Sequence, residues 1–255
     1  PSPSLMKVQR WITHRILKYV KPHHASVAFS KGDTILGAAK PHCEARWIIK
    51  MDVRNFFESI NEISVYRVFR SLGFQRLISL ELARICTRLG YPTRSRIRPR
   101  WLPEYERKTI QVYNIGRMGH LPQGAPTSPM LANLAVRELD ELIEKIATNH
   151  GMIYSRYADD LTLSTRSENF NRDKCKAVIG EIYAAMGKHG LSPNVTKTNI
   201  LAPGARKTVL GLLVDSDTPR LSRDFRSLMR QHLYYLSSPI HGPAIHAQNK
   251  GFSSI

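Results

Sequence analysis

The stretch Met152-Ile153-Tyr154-Ser155-Arg156-Tyr157-Ala158-Asp159-Asp160-Leu161-Thr162-Leu163-Ser164 alternates apolar and polar residues on both sides of two adjacent carboxylates. Alternation of period two marks a half-buried strand, and its break at Ala158-Asp159 predicts a β-hairpin with a tight turn there. Two acids at a hairpin tip repel each other. Their placement makes sense where a divalent cation neutralises them, and magnesium favours one or two carboxylates together with substrate phosphates. Taken alone, Asp159-Asp160 reads equally as a solvated turn.

A metal reading requires a partner carboxylate on another buried strand. Trp47-Ile48-Ile49-Lys50-Met51-Asp52 supplies it: a short, mostly apolar run ending in an acid and followed by Val53-Arg54-Asn55-Phe56-Phe57. Three carboxylates on neighbouring strands can hold two Mg²⁺ ions, and an ion pair ~3.5–4 Å apart clamps the attacking and leaving oxygens of an in-line phosphoryl displacement. A third segment, Leu121-Pro122-Gln123-Gly124-Ala125-Pro126-Thr127-Ser128-Pro129, opens a helix in which Leu131, Leu134, Leu139 and Leu142 fall near helical spacing. Gly124 lets backbone approach a ligand closely. The plainer reading is an ordinary Pro-rich helix entry.

Together the three segments resemble the palm of bacterial reverse transcriptases, and of retron reverse transcriptases in particular. The resemblance runs from about residue 5 to about 230. It implies an α+β right-hand polymerase fold with fingers, a split βαβ palm and the start of a helical thumb. By that resemblance Asp52, Asp159 and Asp160 are the catalytic and metal-binding acids. Phe57 lies under the incoming sugar, and Gln123 and Gly124 contact the nucleotide and the templating pair. Tyr157 belongs with the paired acids, and Lys197 protonates the pyrophosphate leaving group. Val209-Leu210-Gly211-Leu212-Leu213-Val214 resembles the hairpin that grips the primer end. His42 falls where retron enzymes carry the last residue of Asn-Ala-x-x-His, although Ala38 stands at the Asn position. Leu210 likewise replaces the Thr of the retron Val-Thr-Gly. The resemblance implies two Mg²⁺ ions, with Mn²⁺ as an alternative, and dNTP substrates. It also implies a structured non-coding RNA as template and primer, a DNA product, a toxin or effector as candidate partner, and a role in anti-phage defence.

Composition agrees with a polyanionic partner. The 255 residues carry 38 Lys and Arg against 20 Asp and Glu, a net charge of +18. Apolar residues make up 42% of the chain, enough for a core. No run of 18 apolar residues and no charged-then-apolar leader is found, so a cytoplasmic location without a membrane is expected; the resemblance implies that the setting is bacterial. Cys43, Cys86 and Cys175 are dispersed and read as reduced thiols. His23-His24 reads as a surface pair. The layout predicts partial fingers over 1–49, palm over 50–215 with an inserted basic segment at about 92–118, and the start of a thumb over 216–255. Both ends look abrupt, as in a fragment.

Helices are expected over Leu5–Tyr19, Ser64–Leu72, Ile78–Leu89, Pro129–His150, Asn171–His189 and Asp224–Ser237. Glu138, Asp140, Glu141 and Glu144 form an acidic face read as solvated helix surface. The inserted segment carries Arg94, Arg96, Arg98 and Arg100 with aromatic residues interleaved, which suits an RNA contact or a solvated loop equally. Lys31 sits in Phe29-Ser30-Lys31-Gly32-Asp33, which resembles the fingers turn holding template backbone. Arg223, Arg226 and Arg230 recur on the presumed thumb helix. The other readings kept open are a different bacterial defence reverse transcriptase, a relative of the group II intron enzymes, an RNA-binding scaffold for an effector, and a two-metal nuclease.

Overall fold

In the computed structural model, residues 2–89, 118–238, 240, 242–249 and 251 are described. Arg94, Arg96, Arg98 and Arg100 lie outside the described residues. The centre is a four-stranded antiparallel sheet of β1 (Trp47–Asp52), β4 (Ile153–Tyr157), β5 (Asp160–Thr165) and β6 (Asn199–Leu201), in the order β4-β5-β1-β6. The short strands β2 (Arg88–Leu89) and β3 (Gly119–His120) pair separately, as do β7 (Thr208–Val209), β8 (Leu212–Leu213) and β9 (Arg220–Leu221).

Strand β1 explains the layering. Its side chains alternate between faces. Trp47, Ile49 and Met51 join the main core with Leu161 and Leu163 of β5. The helices α7 (Arg137–Asn149) and α8 (Arg172–Lys188) supply Leu139, Ile143, Cys175, Val178 and Ile182 to that core. On the other face Ile48 meets Ala39, Cys43, Ala45, Val209 and Val214. Ile48, Lys50 and Asp52 share this second face, so Asp52 emerges on the side away from α7 and α8.

The remaining helices lie outside the sheet. They are α1 (Pro3–Arg15), α2 (Ile35–Ala39), α3 (Phe56–Ser59), α4 (Glu62–Ser71), α5 (Arg76–Cys86), α6 (Ser128–Ala135), α9 (Arg223–Ser237) and α10 (Gly242–Asn249). The helix expected over Pro129–His150 is two helices, broken at Val136, whose φ of −103° and ψ of 12° leave the helical region. The helix expected to reach Leu89 stops at Cys86, because Arg88 and Leu89 pair with His120 and Gly119. Asn171 caps α8 by accepting from the Lys174 amide at 2.9 Å, and Gly190 follows that helix at φ 72°. All three cysteines are buried and free. No helix among the described residues is long and apolar enough to cross a membrane.

Candidate active site

The hairpin forms where the alternation places it. Tyr157 pairs with Asp160, leaving Ala158-Asp159 as a two-residue turn with Ala158 at φ 55°. Such turns need positive φ to match strand twist. Asp52 is the register partner of Asp160, and the Val53 amide donates to the Asp159 carbonyl at 3.0 Å. Thus the ends of β1 and of the hairpin are tied together, and all three carboxylates collect at one end of the sheet.

Each acid has a different setting. Asp52 is buried, at 5% exposure. Its Oδ1 accepts from Asn194 Nδ2 at 2.9 Å and its Oδ2 from Lys197 Nζ at 2.8 Å. Asn194 belongs to none of the sequence motifs above. The available signal was Pro193-Asn194 in the loop after the glycine that ends α8. The hydrogen bond to Asp52, followed by that carboxylate's charge, raises the Lys197 pKa. Asp159 is half-buried and Asp160 exposed at its edge. Although Asp160 is exposed overall, partial loss of water around its carboxyl raises its pKa, and the negative charges of Asp159 and Asp52 raise it further. Among the described residues the group whose ligand atoms all lie within 4.8 Å of one another is His23, His24 and Glu144; the three aspartates are not that close. The chemistry of the aspartates, carboxylates whose charges disfavour one another, is still the kind a divalent cation neutralises.

The turn is held from below by a buried network. Arg156 grips Asp140 of α7 bidentately, with Nε to Oδ1 at 2.8 Å and Nη2 to Oδ2 at 2.7 Å. Its Nη1 donates to Asn133 Oδ1 at 3.0 Å and to the Ala158 carbonyl at 2.9 Å, inside the turn itself. The Tyr154 hydroxyl donates to Asp140 at 2.7 Å, and Asn133 donates to the Ala28 carbonyl at 2.7 Å. The guanidinium lies 5.6 Å from the Phe56 ring centre. Asp140 is therefore an interior ion-pair partner, not part of a solvated acidic face. Glu144 also departs from that reading, since it meets His23 at 3.4 Å and His24 at 2.6 Å. His23 is buried, which corrects the surface-pair expectation.

His42 reaches the same hairpin from the face of the sheet that carries Ile48, and it is fully buried there. Its ring nitrogens meet Ser164 Oγ at 2.7 Å and Ser155 Oγ at 2.6 Å, joining β5 to β4. Burial lowers its pKa to about 4, so the ring is neutral at pH 7.

The other expected residues lie on separate elements. Phe57 is half-buried and contacts buried Phe56 edge-on, with ring centres 5.5 Å apart. The pair starts α3 rather than continuing a strand, because Asn55 at φ 48° turns the chain out of β1. Asn tolerates that left-handed conformation. Gln123 and Gly124 are exposed on the loop before α6, with Gly124 at φ 82°. The Ser128 hydroxyl closes the loop onto the Pro122 carbonyl at 2.7 Å. Residues 25–27 extend the β4 edge: the Arg156 amide donates to Ala25 at 2.7 Å and the Val27 amide to Arg156 at 2.9 Å. The turn that follows brings Phe29 within 6.2 Å of Tyr157, ring centre to ring centre, and leaves Lys31 exposed. Leu210-Gly211 makes the turn of the β7-β8 hairpin, both at positive φ. Arg223, Arg226 and Arg230 are exposed on α9.

Comparison with known proteins bears on this arrangement. Residues 1–214 match the family described as reverse transcriptase (RNA-dependent DNA polymerase), and the chain belongs to that family. It is 33% identical over 236 residues to the Retron Ec86 reverse transcriptase of Escherichia coli, covering 92% of this chain and 63% of that protein. It is 28% identical over 245 residues to the Retron Mx162 reverse transcriptase of Myxococcus xanthus, covering 92% of this chain and 48% of that one. The chain thus spans about half to two thirds of the length of these relatives. Among solved structures, the telomerase of Candida albicans with a fragment of telomeric RNA superposes with a TM-score of 0.51 at 12% identity. That likeness covers 92% of this chain and 42% of the telomerase, and it concerns the fold alone. The α+β reverse transcriptase fold expected from the sequence is the fold of this chain.

Proposed function

We propose that this chain carries the polymerase core of a retron-type reverse transcriptase, an RNA-directed DNA polymerase copying a structured non-coding RNA. The observation that carries the reading is the meeting of Asp52, Asp159 and Asp160 at the joined ends of β1 and the hairpin. Asp52 and Asp159 would hold two divalent ions, with Asp160 supporting them. Bound there, such ions would lower the pKa of a primer hydroxyl and neutralise charge growing on the pyrophosphate.

The chain's own side chains do the positioning. Gln123 and the Gly124 backbone orient the nucleotide, Phe57 blocks a ribose 2′-hydroxyl, and Tyr157 flanks the acids. Lys197 has an exposed stem and an ammonium already drawn to Asp52, so it can reach the leaving pyrophosphate and give it a proton. Lys31, Arg223, Arg226 and Arg230 meet nucleic-acid backbone, with Arg94, Arg96, Arg98 and Arg100 as further contacts. Fingers over 1–49, palm over 50–215 and thumb from 216 follow from this reading, as do a bacterial cytoplasmic setting, dNTP substrates and an effector partner.

Sequencing the nucleic acid that copurifies with the full-length protein tests it. The expected result is DNA complementary to part of an RNA held by the same protein. RNA without complementary DNA, from a protein that also fails to incorporate dNTPs on an RNA template, would overturn it.

A further inference from the structure

The outer face of α1 takes no part in the polymerase reading. Its inner face is committed to packing. Ile12 is buried, Gln9 donates to the Ile85 carbonyl at 2.8 Å, and the Thr13 hydroxyl donates to the Pro126 carbonyl at 3.1 Å. The last contact fixes the helix against the loop that carries Gln123 and Gly124. On the opposite side Lys7, Trp11 and His14 recur at spacings of four and three, with Arg15 beside them and Lys18 in the turn that follows. All five are exposed, Trp11 at 57%.

Three features separate this face from an ordinary solvated helix surface. An indole is the side chain with most to gain from burial, yet here it stands among cations. No carboxylate opposes them: the first acid of the chain is Asp33, after Lys7, Arg10, Arg15, Lys18, Lys21 and Lys31. Among the described residues, none of Lys7, Arg10, Arg15 and Lys18 forms an ion pair with a carboxylate. Arg15 suits the negative end of the helix dipole, but that accounts for neither Lys7 nor Trp11. From Lys7 to Lys18 the helical rise covers about 16 Å, long enough to follow a strand past more than one phosphate.

We infer that this face binds a single-stranded stretch of RNA, with Trp11 stacked on a base and Lys7, Arg15 and Lys18 on flanking phosphates. Interleaved cations and aromatic faces are the general means of holding unpaired nucleic acid. A duplex would offer the indole no free base face. A bilayer would need the apolar side of the helix, and Ile12 and Leu17 are buried in the protein. The choice of RNA rests on the polymerase reading.

Fluorescence anisotropy with a short unpaired RNA and with a blunt two-stranded RNA duplex tests the inference on the full chain. Trp11→Ala should weaken binding of the unpaired RNA roughly 5- to 100-fold, leave duplex binding unchanged, and leave the salt slope unchanged. Trp11→Phe should retain most of the affinity. Lys7→Ala with Lys18→Ala should flatten the slope of log K against log[salt] by about 0.7 for each phosphate no longer neutralised. Parental affinity in Trp11→Ala, equal losses on both RNAs, or stronger capture by anionic vesicles than by RNA would overturn it. If Trp11→Ala melts early, Lys7→Glu with Lys18→Glu decides, and unchanged affinity there is equally fatal. Failure of the parent to copy RNA would sink the polymerase reading and leave this binding result standing.

Discussion

The hairpin at residues 153–165 and the helix α9 carry charge in opposite ways. In the hairpin, Arg156 is among the most deeply buried side chains, and its hydrogen bonds end on Asp140, Asn133 and the Ala158 carbonyl. Along α9 no residue is buried, and Arg223, Arg226 and Arg230 share the surface with exposed Phe225, Leu228, Met229 and Leu233. A charge taken out of water must be fully partnered or it costs several kcal/mol, whereas an exposed charge is nearly neutral for stability. The hairpin's charges therefore fix geometry. Those of α9 are free to meet a partner.

The contrast is broken most easily at Arg156. Arg156→Ala should lower unfolding stability by about 3–5 kcal/mol, because it strands Asp140 in the interior. Arg156→Met combined with Asp140→Leu should recover most of that loss in urea unfolding. Failure of the double variant to recover would mean that the network matters through something other than the buried charge.

His42 should give the next largest effect. Its folded pKa of about 4 lies below the unfolded value near 6.5. The unfolded state therefore binds the proton first as pH falls, and stability declines between pH 6.5 and 4. The total is about 3 kcal/mol. In His42→Gln that part of the decline should vanish, which denaturant titrations at pH 7 and pH 4.5 would measure.

At Phe57 the effect moves from stability to selectivity. Phe57→Ala should raise ribonucleotide use relative to deoxyribonucleotide use, with a modest loss of the latter. Phe56→Ala, which removes the ring under Arg156, should destabilise without changing the ratio. Single-nucleotide incorporation kinetics on both variants separate the two roles, and an unchanged ratio in Phe57→Ala removes it as the gate.

The smallest stability effect belongs to α9. Changing Arg223, Arg226 and Arg230 to Ala should alter stability by no more than about 0.5 kcal/mol each. The salt slope of RNA binding should drop by about 0.7–0.9 for every phosphate left without its arginine. An unaltered slope would return these arginines to ordinary solvated surface.

What the sequence made legible follows the same division. The hairpin turn and the acid at the end of β1 could be read because period-two alternation and a short apolar run are local signals. Asp140 could not, because on a helical wheel it sits in a run of acids, and its partner Arg156 is brought near only by the packing of α7 on β4. Nor could the break at Val136, where neither Gly nor Pro punctuates the chain. Strand β2 depends on pairing with residues beyond the basic segment. Asn194 reaches Asp52 through a loop that joins distant parts of the chain.

The most direct test of the three-carboxylate site is primer extension on an RNA template with Mg²⁺, comparing the parent with Asp52→Asn, Asp159→Asn and Asp160→Asn while RNA binding is measured in parallel. Losses of at least about 10²- to 10³-fold in extension rate are expected for Asp52→Asn and Asp159→Asn, with RNA affinity retained. Extension at the parental rate by Asp159→Asn would contradict the site as described.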